Sequence, residues 1–227
     1  VRRGLEGDEA RRSGLAMSAL LDLKGVTRRF GGLTAVDAVS THVKAGELVG
    51  LIGPNGAGKT TLFNLISGFT PLSAGEVSFK GRRIDGLKPW RIARLGIGRT
   101  FQNLRIFPNM SVFDNVSIGA MGRTDIGAWT AFGAPASNRE ISERTHAALE
   151  AVGLLDQAAE LAANLAYGKR KYLEIARALA LRPELLVLDE PAAGLNDTET
   201  QALAAFIRRL HADGTTVLLV EHDMALV

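Results

Sequence analysis

The chain contains no cysteine among its 227 residues, which excludes disulfide bonds and metal sites built on thiolates. It also contains no apolar run near the roughly 18 residues that a membrane-spanning helix needs. Residues 1–19 mix arginine with acidic residues and lack the continuous apolar segment of a signal peptide. We therefore expect a disordered tail over residues 1–19, with Met17 as an alternative start of translation, and a globular part that reaches a membrane only through partner subunits.

A strong excess of charge of one sign is absent as well. The chain carries 27 basic and 24 acidic residues, a formal net charge of +3, which is too little to indicate a nucleic-acid partner. Glycine, in contrast, is abundant: its 25 residues are about 11% of the chain, against roughly 7% in an average protein. This excess indicates tight turns or places where the backbone approaches a ligand closely.

Short apolar strands alternate with helical segments along most of the chain. Residues Leu21–Val26 alternate as a half-buried strand, whereas Glu47–Ile52, Leu185–Leu188 and Thr216–Val220 are apolar nearly throughout. Apolar strands that alternate with helices are typical of a parallel sheet covered on both faces. Helical patterns follow over Lys59–Ile66, Lys169–Leu181 and Asp197–Leu210, and between about residues 103 and 168 they predict a helical subdomain inserted into this α/β core.

A glycine-rich turn after the strand Glu47–Ile52 matches the pattern G-x-x-x-x-G-K-[ST] and leads into a helix. In such a loop the backbone N–H groups form an anion-binding nest, and the helix N-terminus adds a partial positive charge. The pattern predicts that Lys59 contacts the β- and γ-phosphates of a nucleotide and that the Thr60 hydroxyl binds Mg²⁺. A chance glycine-rich turn is the weaker interpretation, because the strand and the helix are both in place. The residues of this loop are Gly53, Pro54, Asn55, Gly56, Ala57, Gly58, Lys59 and Thr60.

Two acidic residues, Asp189 and Glu190, follow the strand Leu185–Leu188. At the carboxyl edge of a parallel sheet such positions face the ligand crevice. We expect Asp189 to hold Mg²⁺ through water and Glu190 to position and deprotonate an attacking water. Alone, the two acids also fit a solvated strand end before Pro191; downstream of a phosphate loop they indicate hydrolysis.

Three weaker signals accompany these. His222 follows the strand Thr216–Val220 and can bond a γ-phosphate and orient the water, although a lone histidine is more often incidental. Gln102 ends a short strand where the helical region begins, and its amide can touch the metal or the water. The segment Leu165–Gly168 precedes a helix, which fits either a second phosphate site at the helix N-terminus or an ordinary helix start.

Taken in this order, the segments resemble the nucleotide-binding domain of ABC transporters, from about Leu20 to Val227. The resemblance implies a P-loop NTPase core, with a mostly parallel sheet flanked by helices, an N-terminal antiparallel β subdomain and the inserted helical subdomain. Its motifs correspond to Gly53–Thr61 (Walker A), Gln102 (Q-loop), Leu165–Lys169 (signature), Leu185–Glu190 (Walker B), Ala192–Asn196 (D-loop) and His222 (H-loop).

The resemblance also assigns roles to single residues. Phe30 falls where the family has an aromatic residue that stacks on adenine, with a core phenylalanine as the alternative. Thr61 joins the phosphate loop, and Ala166, Tyr167 and Gly168 bind the nucleotide held by a partner domain. The implied catalytic residues are Glu190, His222 and Gln102, and the implied Mg²⁺ ligands are Thr60, Gln102 and Asp189.

Five longer runs of the sequence resemble the importer subgroup for branched-chain amino acids. The runs concerned are FGGLTAV (30–36), RTFQNLRIFPNMSVFDNV (99–116), NLAYG (164–168), LDEPAAGLN (188–196) and VEHDMALV (220–227). This resemblance implies an ATPase that uses ATP and Mg²⁺ and is bound peripherally at the cytoplasmic face of the inner or plasma membrane. Its implied partners are integral-membrane permease subunits, a second ABC ATPase subunit and, indirectly, a periplasmic or extracellular solute-binding protein. Urea, short amides and other amino acids remain alternative solutes.

Some features depart from the family pattern. The chain stops at Val227, where the family continues with further strands and helices, so the resemblance implies a truncated C-terminus and leaves open an inactive fragment. Lys169 and Arg170 replace the usual glutamine pair, which leaves open whether Lys169 contacts phosphate. A soluble ABC ATPase that acts on ribosomes or DNA is a further alternative, disfavoured because the chain has neither a tandem domain nor long heptads.

Overall fold

The computed structural model describes residues 19–122 and 135–221. The predicted disordered tail, apart from Ala19, lies outside the described residues. Within the described ranges no helix is both long and apolar enough to cross a bilayer.

Four strands form an antiparallel sheet in the order β2-β1-β4-β5. They are β1 (Leu21–Phe30), β2 (Leu33–Val43), β4 (Ala74–Phe79) and β5 (Arg82–Arg83). In β1 the buried Leu21 and Leu23 flank the half-buried Asp22, which confirms the alternation read from the sequence. Leu21 pairs with Val43 on one side and with Phe79 on the other, so the start of β1 lies at the centre of the sheet.

A second sheet is wholly parallel and has the order β3-β8-β7-β6. Its strands are β3 (Leu48–Ile52), β6 (Ile97–Arg99), β7 (Leu185–Asp189) and β8 (Thr216–Glu221). The two central strands, β7 and β8, are buried along their whole length, as their apolar sequences predict. The apolar β3 differs: Val49 and Leu51 pack against the core, but Leu48 and Ile52 on the other face are exposed.

Six α-helices lie in the described ranges. They are α1 (Lys59–Ile66), α2 (Pro89–Leu95), α3 (Val112–Met121), α4 (Pro135–Ala151), α5 (Tyr167–Ala180) and α6 (Asp197–Ala212). The bounds of α1 match the prediction. Helix α5 begins two residues before the predicted Lys169, because Ala166 takes the N-cap position. Helix α6 starts with a reciprocal capping box in which Asn196 and Glu199 bond each other's backbone N–H groups.

Buried apolar side chains form three clusters. The first joins the antiparallel sheet to α1 and the parallel sheet, and includes Leu21, Phe63 and Val220. The second joins α3, α4 and α5, and the third packs α5 and α6 against β7 and β8. Each fully buried large side chain contributes about 1.5–3 kcal/mol of transfer free energy. The region predicted as a helical subdomain therefore has its own core, which extends into α5.

The parallel sheet places several chain segments at one edge, because the carboxyl ends of parallel strands lie together. Asp189 at the end of β7 pairs with Val220 of β8, and Ile52 at the end of β3 pairs with Glu221. Arg99 ends β6 beside Val187. The sequence predicts chemistry for the segments that follow β3, β6 and β7, and for His222 after β8, which lies outside the described residues.

Candidate nucleotide site

The phosphate loop, residues 53–58, connects β3 to α1. Gly58 is the N-cap of α1 and has a left-handed backbone with φ of 85°. A Cβ atom at this position would lie 2.2 Å from the carbonyl oxygen of Ala35 in β2, so only glycine fits. Since no side chain of the described residues caps α1, the N–H groups of its first turn are left for a ligand.

Lys59 lies across this loop. Its Nζ donates hydrogen bonds to the carbonyl oxygens of Gly53, at 2.5 Å, and of Pro54, at 2.9 Å. The side chain is mostly buried, although the cavity described next reaches it. The loop thus holds the ammonium group of Lys59 beside its own backbone, where the P-loop pattern expects it to contact phosphate.

One cavity of about 690 Å³ brings most of the predicted site together. Its wall contains residues 55–58 of the phosphate loop, Lys59, Thr60 and Thr61 of α1, and also Phe30, Gln102 and Glu190. The exposed ring of Phe30 has the guanidinium of Arg28 at 4.4 Å from its centroid. The volume lies in the range of small-molecule sites, roughly 300–1,000 Å³. The aromatic residue predicted for adenine and the loop predicted for phosphate therefore share one cavity.

Glu190 and Gln102 are in direct contact in this cavity. The Gln102 Nε2 donates a hydrogen bond of 2.8 Å to Glu190 Oε2. Gln102 lies three residues beyond β6, which ends at Arg99 rather than at Gln102 as the sequence suggested. Glu190 has a φ of 46°, an unfavourable value for a residue with a side chain. Strain of this kind is characteristic of functional sites, where the surrounding structure holds it in place.

Asp189 lies beside the cavity without being part of its wall. Its side chain is 1% exposed, and its Oδ2 accepts a hydrogen bond of 3.0 Å from Arg99 Nη2. Burial raises the pKa of this carboxyl, and the charge and hydrogen bond of Arg99 oppose that effect. Its Oδ1 is buried and has no hydrogen-bond partner among the described residues.

The residues present fit a magnesium ion. The predicted ligands are the Thr60 hydroxyl, the Gln102 amide and the Asp189 carboxylate, which all offer oxygen, and Mg²⁺ prefers oxygen ligands. The unpaired Oδ1 of Asp189 is an acceptor that a metal-bound water would satisfy. Residues 19–122 and 135–221 contain no cluster of three or more His, Asp or Glu side chains that could hold a metal alone.

The predicted signature residues lie elsewhere. Ala166, Tyr167 and Gly168 do not line the cavity. They form the start of α5, where no described side chain caps the helix, and both Ala166 and Tyr167 are exposed. The helix N-terminus is therefore accessible at the surface of the chain.

Tyr167 packs on the D-loop. Its hydroxyl donates a 3.3 Å hydrogen bond to the carbonyl oxygen of Ala193. Gly194 has a φ of 81°, and a Cβ there would lie 3.0 Å from the Tyr167 ring. Lys169, whose contact with phosphate the sequence left open, donates to Gln157 Oε1 at 2.7 Å. The signature segment and the D-loop thus contact each other within one chain.

Sequence reasoning missed the contact of Arg99 with Asp189. The only signal was a charged residue in the otherwise uncharged three-residue strand Ile97-Gly98-Arg99. Burial lowers the pKa of its guanidinium, and Asp189 opposes this shift through its hydrogen bond and its charge.

A second group that sequence reasoning missed lies on the buried face of α5. Lys171 and Glu174 are each only 3% exposed, and Glu174 Oε1 accepts a hydrogen bond of 3.2 Å from the Phe101 N–H. Burial raises the pKa of Glu174, against the Phe101 N–H and the charges of Arg177 and Lys171. Burial lowers the pKa of Lys171, against the charges of Glu174, Glu221 and Glu190. Charge on α5 therefore acts directly on the segment that carries Gln102.

His222 lies outside the described residues. Its predicted contact with the γ-phosphate stays a prediction.

Known proteins resemble this chain along most of its length. A family model described as ABC transporter matches residues 36–193. The high-affinity branched-chain amino acid transport ATP-binding protein LivG of Salmonella typhimurium is 46% identical over 213 residues, which cover 92% of this chain and 84% of that protein. The corresponding protein BraF of Pseudomonas aeruginosa is 45% identical, with the same coverage.

Solved structures share the fold. The ADP conformation of MJ1267, an ATP-binding cassette of an ABC transporter, superposes with a TM-score of 0.81 and 32% identity over 92% of this chain and 83% of that one. A dimeric post-hydrolysis state of the cassette MJ0796, bound to ADP and Pi, gives 0.76 and 27% over 91% and 89%. These similarities agree with the α/β architecture that the sequence predicts.

Proposed function

Because the chain belongs to the ABC transporter family, we propose that it is the ATP-hydrolysing subunit of an importer for branched-chain amino acids. The observation that best supports ATP hydrolysis is one cavity lined by the phosphate loop together with Phe30, Gln102 and Glu190. The solute class is supported by LivG and BraF, two branched-chain amino acid transport ATP-binding proteins that are 46% and 45% identical to this chain.

The cavity suits ATP at both ends. Phe30 offers a ring for stacking on adenine, and Arg28 supports that ring from 4.4 Å. At the other end, the N–H groups of the loop Gly53–Thr61 and the ammonium of Lys59 bind the phosphates. Lys59 exchanges its present carbonyl partners for phosphate oxygens, which bind an ammonium group more strongly because they are charged.

Glu190 is the proposed base. It positions a water for in-line attack on the γ-phosphorus and accepts its proton, and Gln102 steers the Glu190 carboxylate through their shared hydrogen bond. His222 is the proposed partner of the γ-phosphate. The site would accelerate hydrolysis by positioning the water and stabilising the charge of the transition state, because phosphoryl transfer needs little covalent participation by the protein.

Thr60, Gln102 and Asp189 would hold the metal. Mg²⁺ bound there would offset the negative charge of the phosphates. Two of these proposed Mg²⁺ ligands differ in exposure to the cavity: Thr60 lines it, whereas Asp189 is buried beside it. We propose direct contact for Thr60 and contact through water for Asp189.

A second ABC ATPase subunit completes the site. Ala166, Tyr167 and Gly168 lie at an exposed, uncapped helix N-terminus outside their own chain's cavity. Such an N-terminus binds anions, so it fits the phosphates held by a partner. The family neighbour MJ0796 was solved as a dimer, which agrees with this arrangement. ATP then acts as part of the interface, and its hydrolysis weakens the dimer.

Permease subunits are the proposed membrane partners. An apolar cavity of about 430 Å³ lies between the α2 and α3 regions and is lined by the exposed Phe69, Trp90 and Phe107. Phe101, next to Gln102 in the chain, lies in the same wall, so a segment bound there can act on the catalytic site. Docking of this kind would hold the chain at the cytoplasmic face of the membrane. A solute-binding protein would act only through the permease.

The test is complementation of a bacterial strain that lacks a related ATP-binding protein. In Salmonella typhimurium that lacks LivG, we expect this chain to restore uptake of labelled leucine. The matched control is Glu190→Gln, which should bind ATP, form a stable dimer and leave uptake at the background level. Full ATP turnover by Glu190→Gln would contradict the role of Glu190 as base. ATP hydrolysis by the wild-type chain without any leucine uptake would contradict the proposed solute.

A further inference from the structure

Arg99 links the C-terminal end of α1 to the carboxylate of Asp189 in β7. Its Nη2 donates to Asp189 Oδ2 at 3.0 Å. Its Nη1 donates to Asn64 Oδ1 at 2.9 Å and to Ser67 Oγ at 2.5 Å. Asn64 lies in the last turn of α1 and Ser67 is its C-cap. The guanidinium group is therefore a clamp between two elements of the site.

Three aromatic rings surround this guanidinium. Its Cζ lies 5.0 Å from the ring centroid of Phe101, 5.6 Å from that of Phe69 and 5.8 Å from that of Phe63. The side chain is 6% exposed. A planar group in such a frame keeps one orientation, and a lysine could neither stack in the same way nor donate in two fixed directions.

Stability alone is a poor reason for this pair. Removing two charges from water is costly, and well-packed apolar residues often replace a buried ion pair without loss of stability. What the pair does fix is geometry. It occupies Oδ2 of Asp189 and leaves Oδ1 as a buried acceptor with no partner in the described part of the chain.

We propose that Arg99 is a positioning residue for the magnesium site. It holds Oδ2, so that Oδ1 is the oxygen left for a metal-bound water. It also ties Asp189 to the end of α1, the helix whose first turn carries Thr60. A helix of eight residues is a rigid spacer, so the clamp fixes both oxygen donors relative to each other. The proposal rests on the proposed role of Asp189 in binding Mg²⁺.

The experiment measures metal affinity apart from hydrolysis. Binding of a fluorescent ATP analogue is followed in EDTA and then during titration with Mg²⁺, for the wild-type chain, Arg99→Met and Arg99→Lys. We expect Arg99→Met to keep its affinity in EDTA, because the phosphate loop is untouched. The Mg²⁺ concentration for half-maximal enhancement should rise about ten- to a hundredfold, the usual effect of losing a residue that orients a metal ligand. Arg99→Lys should give a smaller rise in the same direction.

A double variant makes the result independent of the folding of Arg99→Met. The double variant Asn64→Ala, Ser67→Ala removes the hydrogen bonds of Arg99 to α1 and keeps the ion pair with Asp189. We therefore expect the Mg²⁺ concentration for half-maximal enhancement to rise, but by less than in Arg99→Met. Arg83→Met is the matched control, because Arg83 pairs with Asp85 at 2.9 Å on the exposed side of the other sheet. Its Mg²⁺ response should equal that of the wild type.

The outcomes separate the inference from the function on which it rests. An unchanged Mg²⁺ response in folded Arg99→Met overturns the positioning role. Where Arg99→Met does not fold, an unchanged response in both Arg99→Lys and the double variant overturns it. Loss of affinity in EDTA also overturns it, since that result would make Arg99 a support of the phosphate loop. A wild-type chain that binds no nucleotide, or binds it without any effect of Mg²⁺, instead contradicts the proposed function itself.

Discussion

The phosphate loop and the signature segment each lead into a helix that no described side chain caps, but their surroundings are opposite. The N-terminus of α1 lies in a cavity whose wall also contains Phe30, Gln102 and Glu190. The N-terminus of α5 lies at the surface, where the Tyr167 side chain contacts Ala193 and Gly194 and a Cβ atom at Gly168 would lie 2.7 Å from a carboxylate oxygen of Glu199. A helix N-terminus attracts anions in either setting. The side chains around it decide whether it can also support chemistry, so we infer that the first is a catalytic half-site and the second a binding half-site for a partner's nucleotide.

Lys59→Ala tests the first half-site and should have the largest effect. Loss of a charge-assisted contact to the phosphates should weaken ATP affinity about a hundredfold. Titration with a fluorescent ATP analogue measures the change. Lys80→Ala is the control, because Lys80 is an exposed lysine that pairs with Glu184 far from the loop. Equal ATP affinity in Lys59→Ala and wild type would show that the loop does not bind phosphate.

Tyr167→Ala tests the second half-site and should have an intermediate effect. ATP affinity of the single subunit should stay unchanged, because Tyr167 lies outside the cavity. In the Glu190→Gln background, ATP-dependent dimers should weaken about tenfold, or about 1.4 kcal/mol, because the ring no longer supports the D-loop. Analytical ultracentrifugation measures the dimer.

Tyr167→Phe separates the ring from the hydroxyl. The hydroxyl makes a single exposed hydrogen bond of 3.3 Å, which contributes less than about 1 kcal/mol, so this variant should dimerise like the parent. If Tyr167→Ala lowered the ATP affinity of the monomer instead, the division into two half-sites would be wrong.

Glu174→Gln tests the connection between the halves and should have the smallest effect. Burial raises the pKa of Glu174 above its usual 4.5, so its stabilising contribution is present below pH 4.5 and is lost as the pH rises through the folded-state pKa. Glutamine keeps an oxygen for the Phe101 N–H and carries no charge. The Tm of the variant, relative to the wild type, should therefore rise as the pH is raised above 4.5.

Circular dichroism at a series of pH values measures that difference. Arg177 and Lys171 face the same carboxylate and favour its charged form, which limits the size of the effect. A constant difference in Tm at every pH would show that Glu174 has the same pKa in the folded and unfolded states.

The order of strands, loop and helices was predictable because the signals are local. A run of eight residues encodes the phosphate loop, and the bounds of α1 follow from its helical spacing. The position of Arg99 was not predictable, because its partners Asn64 and Asp189 are 35 and 90 residues away along the chain. Only the tertiary structure decides whether such a charge is solvated or buried.

The sequence also does not predict the exposed face of β3 or the first residue of α5. An apolar β3 suggested burial on both faces, but composition does not say which faces a neighbour covers, and Leu48 and Ile52 are exposed. The start of α5 was placed two residues late because its N-cap is Ala166, which has no side-chain acceptor and hence gives no capping signal.

The left-handed backbone of Glu190 sets a limit on attempts to make this protein heat-resistant. Glycine adopts a φ of 46° without the penalty of about 1–2 kcal/mol that a side chain meets there. A selection that rewards only survival at high temperature would therefore favour glycine at position 190. The surviving chains would be sturdier and would have lost their carboxylate at that position, so any such programme needs a second selection for turnover.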